Sequence, residues 1–462
     1  MMHIPELFIR RYGALLGDDI KDFVECLHTP QRESLRINTL KVSKNVIKEE
    51  LKKDGVKLEP IPWVPNGFFF DNGEMGSSIW HFLGYIYLQG ACSMIPPLVL
   101  DPKEGELVLD MAASPGSKTT QMAQLMNNKG AIIANDVILS RLKPLSFNID
   151  RLGVINTGVS CIDGKRFGRL LPEFFDKVLL DAPCTSDGIV RRDPDALKLW
   201  NVERVRRASR IQKSLIVSAF KSLKAGGTLV YSTCTLSPEE NEEVVDSLLR
   251  TYENAKVMKI DIPNIKTRAG IEEWEGKRFN EEVKNCIRIY PHDNDTEGFF
   301  IAKIKKLGKK ATSEAMSESE VVHKYYKEEF NFGYFNDVGF YRKGEKIWVG
   351  STTLLSINLP ILMRKGLLFA RKIKNGYKFT SNGIQLFGKS IDGNTINLSR
   401  EEAERYIRGE DIFVQHSTQR EAPLEKGQVI VRWASFPLGL GLYKDGRLKN
   451  QIPRARRIIS IK

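Results

Sequence analysis

Apolar positions change their period along this chain, and the changes divide it. Residues 5–16 and 18–27 carry apolar side chains at three- and four-residue spacing and read as short helices. Residues 35–41 alternate like a strand. Ser43 is placed to cap a helix that runs to Lys53, and Asp54-Gly55 ends it. Residues 56–60 and 67–70 read as further strands. From about Ala91 the pattern becomes strand, helix, strand. Residues 107–111, 131–135, 177–180 and 228–232 are short apolar runs of the kind that parallel sheets bury on both faces. Helical segments at 119–126, 140–152 and 202–224 separate them. Pro238 opens another helix with acids in its first turn, and residues 298–304 read as the last strand. Residues 308–320 are small and charged without an aromatic, which suits a linker. Short strands follow, at 346–349, 367–372 and 428–433. The pattern predicts an α/β protein. A small α+β module (1–90) precedes a doubly wound, Rossmann-like core (91–306), and a linker (307–320) leads to a β-rich domain (321–462).

Composition adds a partner to this outline. The 462 residues exceed one ordinary core, and 42% hydrophobic with 27% charged residues is the balance of a soluble globular protein. Lys plus Arg number 70 against 57 acids, a formal charge of +13, which suits a polyanion such as nucleic acid. The six cysteines are scattered without a C-x-x-C pair, so neither a zinc knuckle nor a disulfide framework is expected, and a reducing cytoplasm is. The N-terminus has no signal-peptide pattern, and no apolar run reaches membrane-span length.

Chemistry gathers at the predicted strand ends. Asp110-Met111-Ala112-Ala113-Ser114-Pro115-Gly116-Ser117-Lys118 is a small-residue turn opening a helix, which lets a nucleotide-like cofactor approach the backbone. It holds one glycine and so fails the dinucleotide fingerprint. Lys118 opposes the helix dipole, an unfavourable placement that suggests use. Asp136, about twenty residues on, stands where ribose-binding folds put an acid for sugar hydroxyls, and Asp163 is placed for an exocyclic amine. Either acid also suits a helix cap or a turn. Cys184, in Asp181-Ala182-Pro183-Cys184, and Cys234, in Ser232-Thr233-Cys234, each follow a strand. Two thiols beside a cofactor turn suit a methyltransferase that attacks a pyrimidine through sulfur, since thiolate addition at carbon 6 makes carbon 5 nucleophilic.

These segments closely resemble the Sun/Nop family of RNA cytosine-5 methyltransferases. Tyr87 to Ser93, Ser237-Pro238-Glu239-Glu240-Asn241-Glu242, Arg288 to His292 and Gly298-Phe299-Phe300 resemble further family signatures, over roughly residues 1–305. The resemblance implies Cys234 as nucleophile, Cys184 in product release, and Asp181 facing the cytosine with Lys118 nearby. It implies S-adenosylmethionine on Ala112, Ala113, Ser114, Pro115, Gly116, Ser117 and Lys118, with Asp136, Arg141, Asp163 and Asp181. Ser114 and Ser117 replace the family's usual Ala and Gly, both small. Cys26, Cys92, Cys161 and Cys286 read as small buried hydrophobes.

RNA contacts are expected from Arg32, Arg36, Asn38 and Lys41 as a polar strip, and from Arg191 and Arg192 beside the Cys184 loop. Residues 431–441, with Arg447 and the run Arg454 to Arg457, resemble the C-terminal extension of bacterial members that modify small-subunit ribosomal RNA. There, aromatics interleaved with arginines suit stacking and phosphate contact. The expected activity is RNA cytosine-5 methylation, on ribosomal RNA before transfer RNA, by a monomer. The rivals are a non-catalytic ribosome-assembly factor, which would not need both thiols, and a small-molecule methyltransferase, which would not need the basic C-terminal part.

Overall fold

In the computed structural model the described residues are 3–71, 74–308, 337–374, 376–389, 394–414 and 424–458. Most of the expected linker, and the start of the region after it, lie outside them.

A ten-stranded sheet forms the centre. Its parallel part runs in the order Thr157–Ser160, Ala131–Asn135, Leu107–Asp110, Phe175–Asp181, Leu223–Thr233. Chain order reverses between Leu107–Asp110 and Phe175–Asp181, which is where a doubly wound sheet opens its ligand crevice. Phe299–Lys306 then pairs antiparallel with Leu223–Thr233, and Ile287–Ile289 follows it. The helices Ser117–Leu125, Leu142–Arg151, Val202–Ser222 and Glu242–Thr251 separate these strands along the chain. Val108, Leu109, Ile132, Leu179 and Val230 are fully buried, as continuous apolar runs require.

The N-terminal module opens with two helices, Glu6–Leu16 and Ile20–Leu27, and has an antiparallel sheet ordered Lys57–Pro60, Gly67–Asp71, Ser34–Ile37, Ile86–Leu88. Ser43 caps the helix Lys44–Lys53 by accepting from Val46 N. The strand expected through Lys41 stops at Ile37, where Asn38 turns inward. Its Nδ2 donates to Gly84 O and Leu152 O, both at 2.8 Å.

The C-terminal region is not one separate unit. It forms a four-stranded sheet, from Val338–Lys343 to Gly376–Phe379, and a five-stranded sheet containing Gly427–Trp433 and Phe436–Lys444. Between strands of the first, Leu362–Lys365 leaves to pair with Thr157–Ser160, so it extends the central sheet. Arg364 adds an ion pair to Asp150. The second sheet shares a core with the N-terminal module, where Trp80 packs 5.5 Å from Trp433 and 5.4 Å from Phe436. Interleaved aromatics expected to stack on RNA bases therefore pack inside the protein. Among the described residues no helix is long and apolar enough to cross a membrane.

Candidate active site

Asp181 ends its strand in register with Ser232, one residue before the end of the neighbouring parallel strand, and the Ser232 hydroxyl donates to Asp181 Oδ1 at 2.8 Å. Three and two residues further on, the chain reaches Cys184 and Cys234. Equal strand ends thus bring two thiols fifty residues apart to an Sγ–Sγ separation of 3.3 Å. Both are free cysteines, partly exposed, so a ligand can reach them. Gly188 lets the loop after Cys184 lie on the backbone of Cys234: its N–H donates to Cys234 O, and a Cβ there would meet that oxygen at 2.8 Å and Gly298 O at 2.5 Å. Ser186 holds a left-handed turn with φ of 62° and sets its hydroxyl 3.5 Å from Cys234 Sγ.

The thiols are electrostatically unequal. The hydrogen bond from Cys184 lowers the Cys234 pKa against its burial, and Ser186 and Lys118 act in the same direction. The same bond, with burial and the neighbouring charge, pushes Cys184 well above the ordinary thiol range. The shared hydrogen bond thus makes Cys234 the more readily ionised thiol of the pair and Cys184 the less.

Lys118 faces them. Its Nζ donates to Asp181 Oδ2 at 2.6 Å and to Ser93 Oγ at 3.0 Å. Burial disfavours its charge, but Asp181 outweighs burial and keeps it cationic. This pairing explains a lysine in the first turn of the helix Ser117–Leu125. Behind it, Asp110 is buried and accepts from Thr119 Oγ1 at 2.6 Å, and burial raises its pKa to about 7.

The turn before that helix is clamped by its own neighbours. Ser114 Oγ donates to Arg141 O at 2.8 Å, and Arg141 Nη2 returns a bond to Ser114 O at 3.0 Å. Gly116 has φ of 103°, a conformation costly for a residue with a Cβ. Ala113, Ser114 and Gly116 are buried, Ala112 and Ser117 half-buried, and Pro115 exposed. Asp136 accepts from Ile138 N at 3.0 Å through one oxygen and lies 3.5 Å from Arg141 Nε through the other. Asp163 caps a short turn through Lys165 N, yet its side chain stays 44% exposed. Each acid thus serves the backbone; Asp163 keeps a reachable carboxylate, whereas Asp136 is 3% exposed. Val137, Ile138 and Leu139 beside Asp136 are 60%, 48% and 62% exposed. Three exposed apolar residues next to two acids form a donor set that fits a flat base with a sugar and an amine, as S-adenosylmethionine carries.

Several supporting residues went unread in the sequence. Asp187 is buried and takes bonds from Tyr12 OH at 2.7 Å, Trp200 Nε1 at 3.2 Å and Leu236 N at 2.7 Å. Glu240 accepts from Thr185 N at 3.1 Å and Gln212 Nε2 at 2.8 Å, and burial lifts its pKa to about 8. Asn135 ties Met111 O and Ile162 O, fixing the strand ends on which the cofactor turn and Asp163 depend. Glu240 lies in the signature quoted above without a role assigned to it, and Asp187, in a Ser-Asp-Gly turn, carried no local signal.

The expected RNA strip is corrected. Arg36 is 1% exposed and donates to Gln89 Oε1 at 3.2 Å, to Thr120 Oγ1 at 2.9 Å and to Gln124, fastening the module to the cofactor helix. Asn38 is fully buried, Lys41 binds the carbonyls of Leu83 and Arg151, and Arg32 pairs with Glu59. Arg191 is likewise consumed, by Asp295 at 2.6 Å and the carbonyls of Thr29, Pro30 and Thr296, whereas Arg192 is exposed. Cys92 and Cys286 are buried as expected, but Cys26 and Cys161 are only half-buried.

Comparison with known proteins gives the family. Residues 97–305 match the model for 16S rRNA methyltransferase RsmB/F, residues 4–91 that for the RsmF N-terminal domain, and residues 393–458 that for the RsmF PUA domain. Ribosomal RNA small subunit methyltransferase F of Vibrio cholerae is 35% identical across 98% of this chain and 97% of its own length. The tRNA (cytosine(49)-C(5))-methyltransferase of Pyrococcus abyssi is 49% identical over 66% of this chain and 96% of its own. A methyltransferase homologue from Pyrococcus horikoshii superposes with a TM-score of 0.60 at 38% identity, over 66% of this chain and 96% of that one. With its fold and both thiol loops in place, the chain belongs to the RsmB/F (Sun/Nop) family of S-adenosylmethionine-dependent RNA cytosine-5 methyltransferases.

Proposed function

We propose that this enzyme methylates carbon 5 of a cytosine in small-subunit ribosomal RNA, in the cytoplasm and as a monomer, with Cys234 as nucleophile. One observation carries the choice of RNA. Similarity to the ribosomal enzyme spans 98% of the chain, including the final unit, whereas the transfer-RNA enzyme accounts for 66%. A part shared with this ribosomal relative and absent from this transfer-RNA relative is best read as serving the ribosomal substrate. Bisulfite sequencing of total RNA from a deletion strain tests this. Loss of a methylated cytosine from transfer RNA alone would overturn it.

The roles follow from the charges. The Cys234 thiolate adds to carbon 6 of the cytosine, and the Lys118–Asp181 pair faces the ring's polar edge, where a proton donor at nitrogen 3 eases addition. S-adenosylmethionine, when bound, supplies an electrophilic methyl group; Asp136, Asp163, Arg141 and the 112–118 turn would hold it. Once Cys234 is a thioether, it no longer holds Cys184 up by charge. Cys184 can then release its own proton to solvent and, as a thiolate, take the carbon 5 proton, while the bond from carbon 6 to Cys234 breaks and Cys234 leaves as thiolate.

A further inference from the structure

A cavity of about 320 Å³ opens where three parts of the chain meet. His81 and Phe82 come from the N-terminal module, Phe147 and Arg151 from the helix Leu142–Arg151, and Arg456 and Arg457 from near the end of the described chain. This volume is in the range of sites for small organic ligands.

Its charge is one-sided. Arg151 is 2% exposed, donates to His81 O, Ile86 O and Asn148 Oδ1, and keeps its Nε buried without a partner. Arg456 donates to Asn382 Oδ1, Phe82 O and Gln385 Oε1, and its Nε is likewise buried and unpartnered. Its guanidinium stands 5.1 Å over the Phe82 ring. Arg457 gives its Nε to Ile452 O, and Lys41 lies behind, on the carbonyls of Leu83 and Arg151. Among the described residues none of these four cations has a carboxylate partner; the nearby Asp150 is paired with Arg364. Burial pulls Arg151 to about 9 and Arg456 to about 10, and with Arg151 it takes His81 to about 3. At neutral pH the arginines are therefore charged and His81 is neutral. Arg151 is buried and the other three cations are part-buried; desolvated cations held only by neutral acceptors are costly, and an anion removes that cost.

The geometry points to an oxyanion site: the cavity binds a phosphate group on Arg151, Arg456 and Arg457. Guanidinium groups match phosphate oxygens with paired donors. The phosphate is either a phosphodiester of the substrate RNA or a free phosphate or mononucleotide. Helix Leu142–Arg151 starts beside Arg141 at the cofactor turn and ends at the cavity, about 15 Å away. An occupant thus adds binding without touching the reacting base. Only the RNA source rests on the function proposed above.

The test uses the full chain and inorganic phosphate. Phosphate at constant ionic strength should raise the thermal midpoint of the wild type saturably. The double variant R456Q/R457Q should lose that rise, and R456K/R457K should keep part of it, which separates lost charge from misfolding. Against a small-subunit rRNA fragment, R456Q/R457Q should bind about tenfold more weakly, with a salt slope smaller by about one to two units. Competition between phosphate and RNA in the wild type would assign the site to a phosphodiester. Lost phosphate binding with unchanged RNA affinity would assign it to a free phosphate or nucleotide. No saturable rise in the wild type, or an equal rise in the double variant, would overturn the site. A wild type that never methylates ribosomal RNA would sink the functional reading and leave the phosphate titration standing.

Discussion

Cys234 and Cys184 share one hydrogen bond that acts on them in opposite directions, and that difference sorts their mutants. Cys234→Ala should abolish methyl transfer, since Cys184 beside it is the less readily ionised thiol, and RNA binding should stay near wild type; residual transfer at close to the normal rate would refute the assignment. Cys184→Ala should leave addition intact and stall release. The readout is a slow-migrating protein–RNA band that resists denaturant, and its absence with Cys234 still essential would remove the release role. Glu240 supplies a pH dependence. Its folded pKa of about 8 lies above the ordinary carboxylate value, so the folded state holds this proton more tightly than the unfolded chain. The stability it contributes is complete below about pH 4 and falls away as pH rises through 8. Glu240→Gln keeps the hydrogen-bonding shape without the titration, so thermal midpoints between pH 5 and 9 should fall less steeply with pH than in wild type.

At the level of elements, the short strand Ser34–Ile37 acts as a bolt. Its residues are all buried, because one face meets the module's own core and Arg36 reaches the helix Ser117–Leu125. Arg36→Ala removes the donor to Gln89, Thr120 and Gln124 together. It should cost about 3 kcal/mol in urea unfolding. RNA affinity per folded molecule should be unchanged, which distinguishes a bolt from an RNA contact. The strip Arg32 to Lys41 was misread for a simple reason. A polar residue in a strand looks the same in sequence whether it meets water or a neighbouring domain, and only the docked helix shows which. The parallel strands had no such ambiguity, since apolar runs buried on both faces leave one placement.

Across the whole molecule, the C-terminal region braces the rest at both ends. Leu362–Lys365 covers the edge of the central sheet, Ser351 Oγ donates to Gly130 O at 2.6 Å, and Arg400 pairs with Asp54 of the N-terminal module. A chain truncated after residue 306 should therefore lose stability as well as RNA contacts: it bares a sheet edge and the apolar face around Trp80. Thermal unfolding should show a lower midpoint and concentration-dependent aggregation. An unchanged midpoint would mean the two parts fold independently.

The sequence by itself determined the order of elements, the cofactor turn and the two thiol loops. Each rests on local signals: continuous apolar runs, a small-residue turn before a helix, and Cys184 and Cys234 just past strand ends. It did not determine which polar groups serve each other across the fold. The 3.3 Å approach of Cys184 and Cys234, the Lys118–Asp181 pair and the inward turn of Arg36 and Arg191 depend on strand register and domain docking. Those are set by contacts between residues tens to hundreds of positions apart, and no local pattern encodes them.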